Sequence, residues 1–152
     1  HASLFIKDDN SNPLLLTDPW LLGSCYWRSW WLQHYPTKNQ FSEFQNVKYC
    51  YVTHEHPDHF SISFFKNYEE LIKSQGIVIL FQETKDKRVK EFFTQNGFNF
   101  NELKFKQPFL INNNYKITCI KDGFYDSALF IQTKDKKRRS RFFGNATQSK
   151  PY

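Results

Sequence analysis

The chain is 152 residues long, 39% of them hydrophobic, with 17 Phe, 8 Tyr and 4 Trp, enough apolar bulk for one sizeable core. Its net charge is +6, but Lys134–Arg141 alone carries +5 of it, which reads as a solvated basic turn and not as a nucleic-acid footprint. No run of eighteen apolar residues and no secretory leader is present, which argues against a membrane span. Cys25, Cys50 and Cys119 are odd in number and widely separated, so they form neither a disulfide framework nor a zinc knuckle. A reducing, cytoplasmic setting follows.

Two short strands are expected at 4–7 and 14–17, joined by the turn-forming run Asp8-Asp9-Asn10-Ser11-Asn12-Pro13. Asp18-Pro19 turns the chain at the end of the second. Residues 20–36 form an aromatic loop with Trp27, Arg28, Trp30, Trp31 and His34. The apolar run 47–53 reads as a buried strand. A helix is expected from Ser61 to about Ser74 and is stopped by Gly76. A short apolar strand at 77–81 follows, the kind found inside a parallel arrangement. Thr84 is expected to cap a second helix, ending at Asn96 and Gly97. Strand, helix, strand, helix in this order implies a right-handed crossover unit. Beyond Asn99 the pattern is one of short strands, near 103–106, 109–111, 115–120 and 128–133, with a hairpin turn at Asn112-Asn113-Asn114. No repeat or low-complexity linker is visible. The chain has no methionine and enters a strand pattern directly, and is read as part of a longer protein.

The strongest signal is Thr53-His54-Glu55-His56-Pro57-Asp58-His59, which holds three of the five histidines in a strand-to-helix loop. On an extended strand end, residues i and i+2 point the same way, so His54 and His56 can converge on one ion. Asp58 and His59 follow, displaced along the chain, and suit a second ion beside the first. Imidazole and carboxylate together fit zinc best, with manganese or iron as alternatives, better than calcium or magnesium.

This His-x-His-x-Asp-His spacing after a buried strand resembles the metallo-β-lactamase superfamily. His1-Ala2-Ser3 and the strand ending in Thr17-Asp18-Pro19 look like the branch that includes L-ascorbate-6-phosphate lactonase and N-acylphosphatidylethanolamine phospholipase D. The Trp-rich segment from Gly23 to Pro36 and the later Asp126-Ser127-Ala128-Leu129-Phe130-Ile131 are similar to the lactamase-like part of the CMP-N-acetylneuraminate hydroxylases. The resemblance implies an α/β fold, an αββα sandwich of metallo-β-lactamase type. The chain would supply the N-terminal portion, with the second half incomplete. It would form one partial domain over 1–152, with residues 138–152 of uncertain register.

The resemblance also implies one or two divalent metals on His54, His56, Asp58 and His59, with Asp58 as catalytic base. Asp18 would orient the loop by hydrogen bonding, with His1 near the metals. Trp27, Arg28 and Trp31 would wall a substrate cleft, although for the tryptophans core or flap packing is the more ordinary role. The activity implied is hydrolysis of an ester, lactone or phosphodiester by metal-activated water. The substrate would be a small molecule, nucleotide-sugar-like or lipid-like, with no nucleic acid partner. The oligomeric state is open. Departures from the family pattern are also visible. No histidine follows His59, Asp122 is the one candidate for the next ligand, and Asn145 or Thr147 stands where a bridging aspartate would be expected. Two alternatives follow: a lactamase-like module of a hydroxylase-type oxygenase system, or a non-catalytic member. Residues 1–152 alone are expected to hydrolyse weakly or not at all.

Overall fold

Asp8 sets the first turn. Its Oδ1 accepts hydrogen bonds from the backbone N–H groups of Asn10 and Asn12 at 2.9 and 2.8 Å, folding β1 (Leu4–Lys7) back along β2 (Pro13–Thr17) as an antiparallel pair. The computed structural model describes residues 3–134 and 141–143. The chain forms two compact units, His1–Leu103 and Lys104–Tyr152.

In the first unit β2 pairs in parallel with β5 (Tyr49–Val52), β5 with β6 (Val78–Gln82), and β6 with β7 (Phe100–Leu103). The sheet order is β1-β2-β5-β6-β7. Parallel neighbours need crossovers, and the connections supply them. Between β2 and β5 lie a short hairpin, β3 (Ser24–Cys25) with β4 (Trp30–Trp31), and α1 (Lys38–Phe44). Between β5 and β6 lie the histidine loop, α2 (Ile62–Asn67) and α3 (Glu69–Ser74), and before β7 comes α4 (Arg88–Gln95).

Strand alternation sends Cys50 and Val52 of β5, and Ile79 and Phe81 of β6, into one core with Phe44, Phe64, Phe65, Ile72, Val89 and Phe93 from the helices. The phenylalanines meet edge to face, as Phe65 and Phe93 do with centroids 4.7 Å apart at 87°. Leu15, Tyr51 and Leu80 alternate to the opposite face and are buried too. These strands therefore read as continuous apolar runs.

The second unit is an antiparallel sheet, β11-β10-β9-β8, from β8 (Pro108–Leu110), β9 (Tyr115–Asp122), β10 (Asp126–Thr133) and β11 (Arg141–Phe143). Tyr115, Ile117 and Cys119 form the buried alternation of β9. Asn112 Oδ1 accepts from the N–H groups of Asn114 and Tyr115, which makes the expected turn. The architecture is α/β, as expected, with the strand–helix–strand–helix order of the first unit giving its parallel strands.

Several local expectations need correction. The helix expected over 61–74 is two helices, because Tyr68 at φ −110° and ψ 18° leaves the helical region between them. Ile62, the first helical residue, is exposed, and Phe64 beside Phe65 carries the burial. Thr84 caps nothing. Its hydroxyl donates to the Asp86 carbonyl, and α4 starts at Arg88 without a side-chain cap. The strand expected near 103–106 is Phe100–Leu103, since Lys106 sits at φ 62°, outside strand geometry. The helix α1 lies in a stretch, 37–46, for which the sequence suggests no element, and Thr37 and Gln40 form a reciprocal capping box at its start. Thr37→Ala is expected to cost about 1 kcal/mol in denaturant unfolding, since an N2 or N3 amide loses its acceptor.

Candidate metal centre

Asp18 follows β2 in a left-handed conformation, φ 41°, and is 1% exposed. Its backbone N–H donates to the Tyr51 carbonyl at 2.8 Å, which extends the β2–β5 ladder and brings the carboxylate under the end of β5. There Oδ1 accepts from the Thr53 backbone N–H at 2.7 Å, and both oxygens lie 3.0 Å from the Thr53 hydroxyl. Oδ2 is also 3.0 Å from His59 Nδ1. From the adjacent strand, Gln82 Nε2 donates to the Thr53 carbonyl at 2.8 Å. The far end of the loop is closed by backbone bonds from His59 and Phe60 to the His56 carbonyl, and by Ser61 capping α2. The loop is thus pinned at both ends.

A consistent set of protons follows. His59 Nδ1 donates to Asp18 Oδ2, and its Nε2 stands 3.3 Å from Asp58 Oδ2, where a proton or a bound cation would lie between the two acceptors. His54 Nδ1–H, 3.0 Å from Thr53 Oγ1, donates to that hydroxyl, which in turn donates to Asp18. His54 Nε2 is then presented to His56 Nδ1 at 2.8 Å. His54 and His59 are buried with ring centroids 4.1 Å apart, whereas His56 is exposed at the mouth.

The donors therefore stand as two pairs, His54 with His56 and His59 with Asp58. Among the described residues, no group of three or more His, Cys, Asp or Glu forms a metal-holding cluster. The donor chemistry still fits a zinc-type ion. Two nitrogens bound to tetrahedral zinc at about 2.0–2.1 Å lie about 3.3 Å apart, so the His54–His56 pair needs only a small opening.

Asp18, expected to orient the loop, lies against Thr53 and His59. His1, Asn145 and Thr147 lie outside the described residues. Asp122 ends β9 in the second unit, opposite Asp126 across the hairpin. Of the core or flap packing expected, Trp27 and Trp31, 98% and 59% exposed, are not in the core, and Arg28 is exposed as well. Trp31 Nε1 donates to the Arg28 carbonyl at 3.0 Å. The hairpin reaches the loop through Tyr26, whose hydroxyl donates to Asp58 Oδ1 at 2.8 Å. Burial, that hydrogen bond and the Asp58 charge push the Tyr26 phenol up to about 12. Cys50 is driven well above the ordinary thiol range by burial and then by the charge of Asp18. Sequence reading missed Tyr26 and Gln82. They are distant in the chain and carry no motif, whereas Thr53 stood at the head of the histidine run.

The fold is α/β, and its histidine- and aspartate-bearing loop follows the central parallel strand β5. Over most of its length the chain is similar to the cytidine monophosphate-N-acetylneuraminic acid hydroxylases. Identity is 24% over 141 residues with that of Danio rerio, covering 88% of this chain, and 27% over 143 residues with that of Xenopus laevis, covering 90%. The chain spans 23% of the length of each of these relatives. Among solved structures, it is similar to the human short-form tRNase Z, with TM-score 0.49 and 10% identity, covering 92% of this chain and 60% of that one. It is also similar to the metallo-β-lactamase fold protein YhfI from Bacillus subtilis, with TM-score 0.40 and 15% identity, covering 60% and 41%. No family model matches the chain.

Proposed function

We propose that this chain supplies the metal-binding loop of a metal-dependent hydrolase acting on an ester, lactone or phosphodiester. The observation that carries this reading is the approach of His54 Nε2 to His56 Nδ1 at 2.8 Å, beside the His59–Asp58 pair. His54 and His56 hold one divalent ion, and Asp58 and His59 hold a second or share the first. Zinc suits these donors best, with manganese or iron as substitutes. Such an ion supplies Lewis acidity and lowers the pKa of water. Asp58 would serve as the base toward the attacking water. Asp18 and Thr53 hold both buried imidazoles in the tautomer that presents Nε2. Acid weakens metal binding, because the rings bind only when neutral. Trp27, Arg28 and Trp31 form one cleft wall, with Arg28 meeting an anionic group on a small, nucleotide-sugar-like or lipid-like substrate.

Three buried free cysteines suit a cytoplasmic setting. No helix among the described residues is long and apolar enough to cross a membrane. A second reading, a lactamase-like module of a hydroxylase-type oxygenase, is favoured by the similarity that extends over 88–90% of the chain. The test is turnover of ester, lactone and phosphodiester substrates with zinc or manganese. Chelator-sensitive turnover that falls at least about a hundredfold in Asp58→Ala supports the hydrolase, by loss of a positioned base. Metal binding with no turnover of any of the three, by this chain or by a longer chain that carries it, supports the second reading or a non-catalytic member.

A further inference from the structure

Tyr26, Trp27 and Arg28 are three consecutive non-glycine residues in the left-handed region, at φ 48°, 52° and 68°. L-residues disfavour this conformation, so the turn must be held from outside. Its base is the β3–β4 pairing, Ser24 with Trp31 and Cys25 with Trp30, and Ser29 N–H closes it onto the Tyr26 carbonyl at 3.0 Å. Its tip exposes Trp27 almost entirely. Tyr26 is the residue that turns back. Its ring packs on Trp30 with centroids 4.9 Å apart, and its hydroxyl reaches Asp58 Oδ1, thirty-two positions along the chain.

We propose that Tyr26 is a positioning residue of the metal centre, holding the Asp58 carboxylate by Oδ1 so that Oδ2 faces His59 and coupling the aromatic hairpin to the state of that site. This rests on the metal-binding reading above. A carboxylate with one oxygen held by a hydroxyl cannot swing freely and offers the other as a single, oriented donor. Partners of this kind behind metal ligands typically contribute about 10–100-fold to affinity. The coupling also runs the other way. An ion held at Oδ2 would load the same carboxylate that the Tyr26 hydroxyl holds at Oδ1, and so would be felt at the Tyr26–Trp30 contact.

The experiment is a zinc titration against a chromophoric chelator, with tryptophan emission recorded in parallel, on the wild type, Tyr26→Phe and Trp30→Phe, each checked for folding by circular dichroism. Tyr26→Phe keeps the ring against Trp30 and removes only the hydroxyl. It is expected to bind zinc about tenfold more weakly and to lose the zinc-dependent emission change. Trp30→Phe, which leaves the hydroxyl in place, is expected to bind zinc like the wild type and to lose most of the emission change. Unchanged affinity and emission response in Tyr26→Phe overturn the positioning role while the metal reading stands. Equal weakening by Trp30→Phe assigns the effect to hairpin packing and also overturns it. A wild type that binds no zinc overturns both.

Discussion

Asp18→Ala is expected to destabilise the first unit by about 3–5 kcal/mol, since several buried donors lose one shared acceptor at about 1–3 kcal/mol each. The carboxylate is 1% exposed and faces the Thr53 N–H, the Thr53 hydroxyl and His59 Nδ1, all within 3.0 Å. Alanine leaves these donors buried without this acceptor, and each such loss costs about 1–3 kcal/mol. It also places a residue with no capping side chain at φ 41°, a conformation that Asp and Asn tolerate better. Asp18→Asn keeps the shape and one good acceptor and should lose distinctly less. The measurement is urea unfolding followed by tryptophan emission, which reports on the first unit because all four tryptophans lie within it. A loss below about 1 kcal/mol for the alanine variant, no more than one ordinary hydrogen bond, would show that the loop is held by other contacts.

Replacing both His54 and His56 by alanine is expected to abolish stoichiometric binding of zinc or manganese, a loss of more than about a hundredfold in affinity, beyond what outer partners contribute. His54 Nε2 and His56 Nδ1 stand 2.8 Å apart, with the His54 ring oriented from behind by the Thr53 hydroxyl. With both gone, only the His59–Asp58 pair is left in the loop, and two donors from adjacent residues are too few for a tight transition-metal site. Elemental analysis after equilibrium dialysis reads the result directly. Equal metal content in the wild type and the double variant would remove the basis for the proposed function. His56 is exposed, so His56→Ala alone should change metal affinity with little effect on folding, which separates the two roles.

The site and the core differ in how much of each was legible in the chain. The histidine loop was readable because its logic is local. The period-2 geometry of an extended strand end puts His54 and His56 side by side regardless of what the rest of the molecule does. The parallel strands were readable for a similar reason. Residues 49–52 and 78–82 are buried on both faces, so they appear as unbroken apolar runs. The role of Asp18 was reached through resemblance, because an Asp-Pro turn alone does not say what lies above it.

The sequence by itself therefore determined the α/β class, the crossover order and the position of the histidine loop, since each follows from periodicity or from spacing within a few residues. Only the tertiary structure decided that the donors stand in two pairs, that Gln82 braces the Thr53 carbonyl from the neighbouring strand, and that Tyr26 reaches Asp58. It also decided that Trp27 faces solvent and that Tyr68 breaks one expected helix into two. These features depend on residues brought together from distant strands and turns, or on side chains finding room in a particular core. Neither pattern nor propensity along the chain encodes such contacts, because their energy exists only once the sheet has placed its strands side by side.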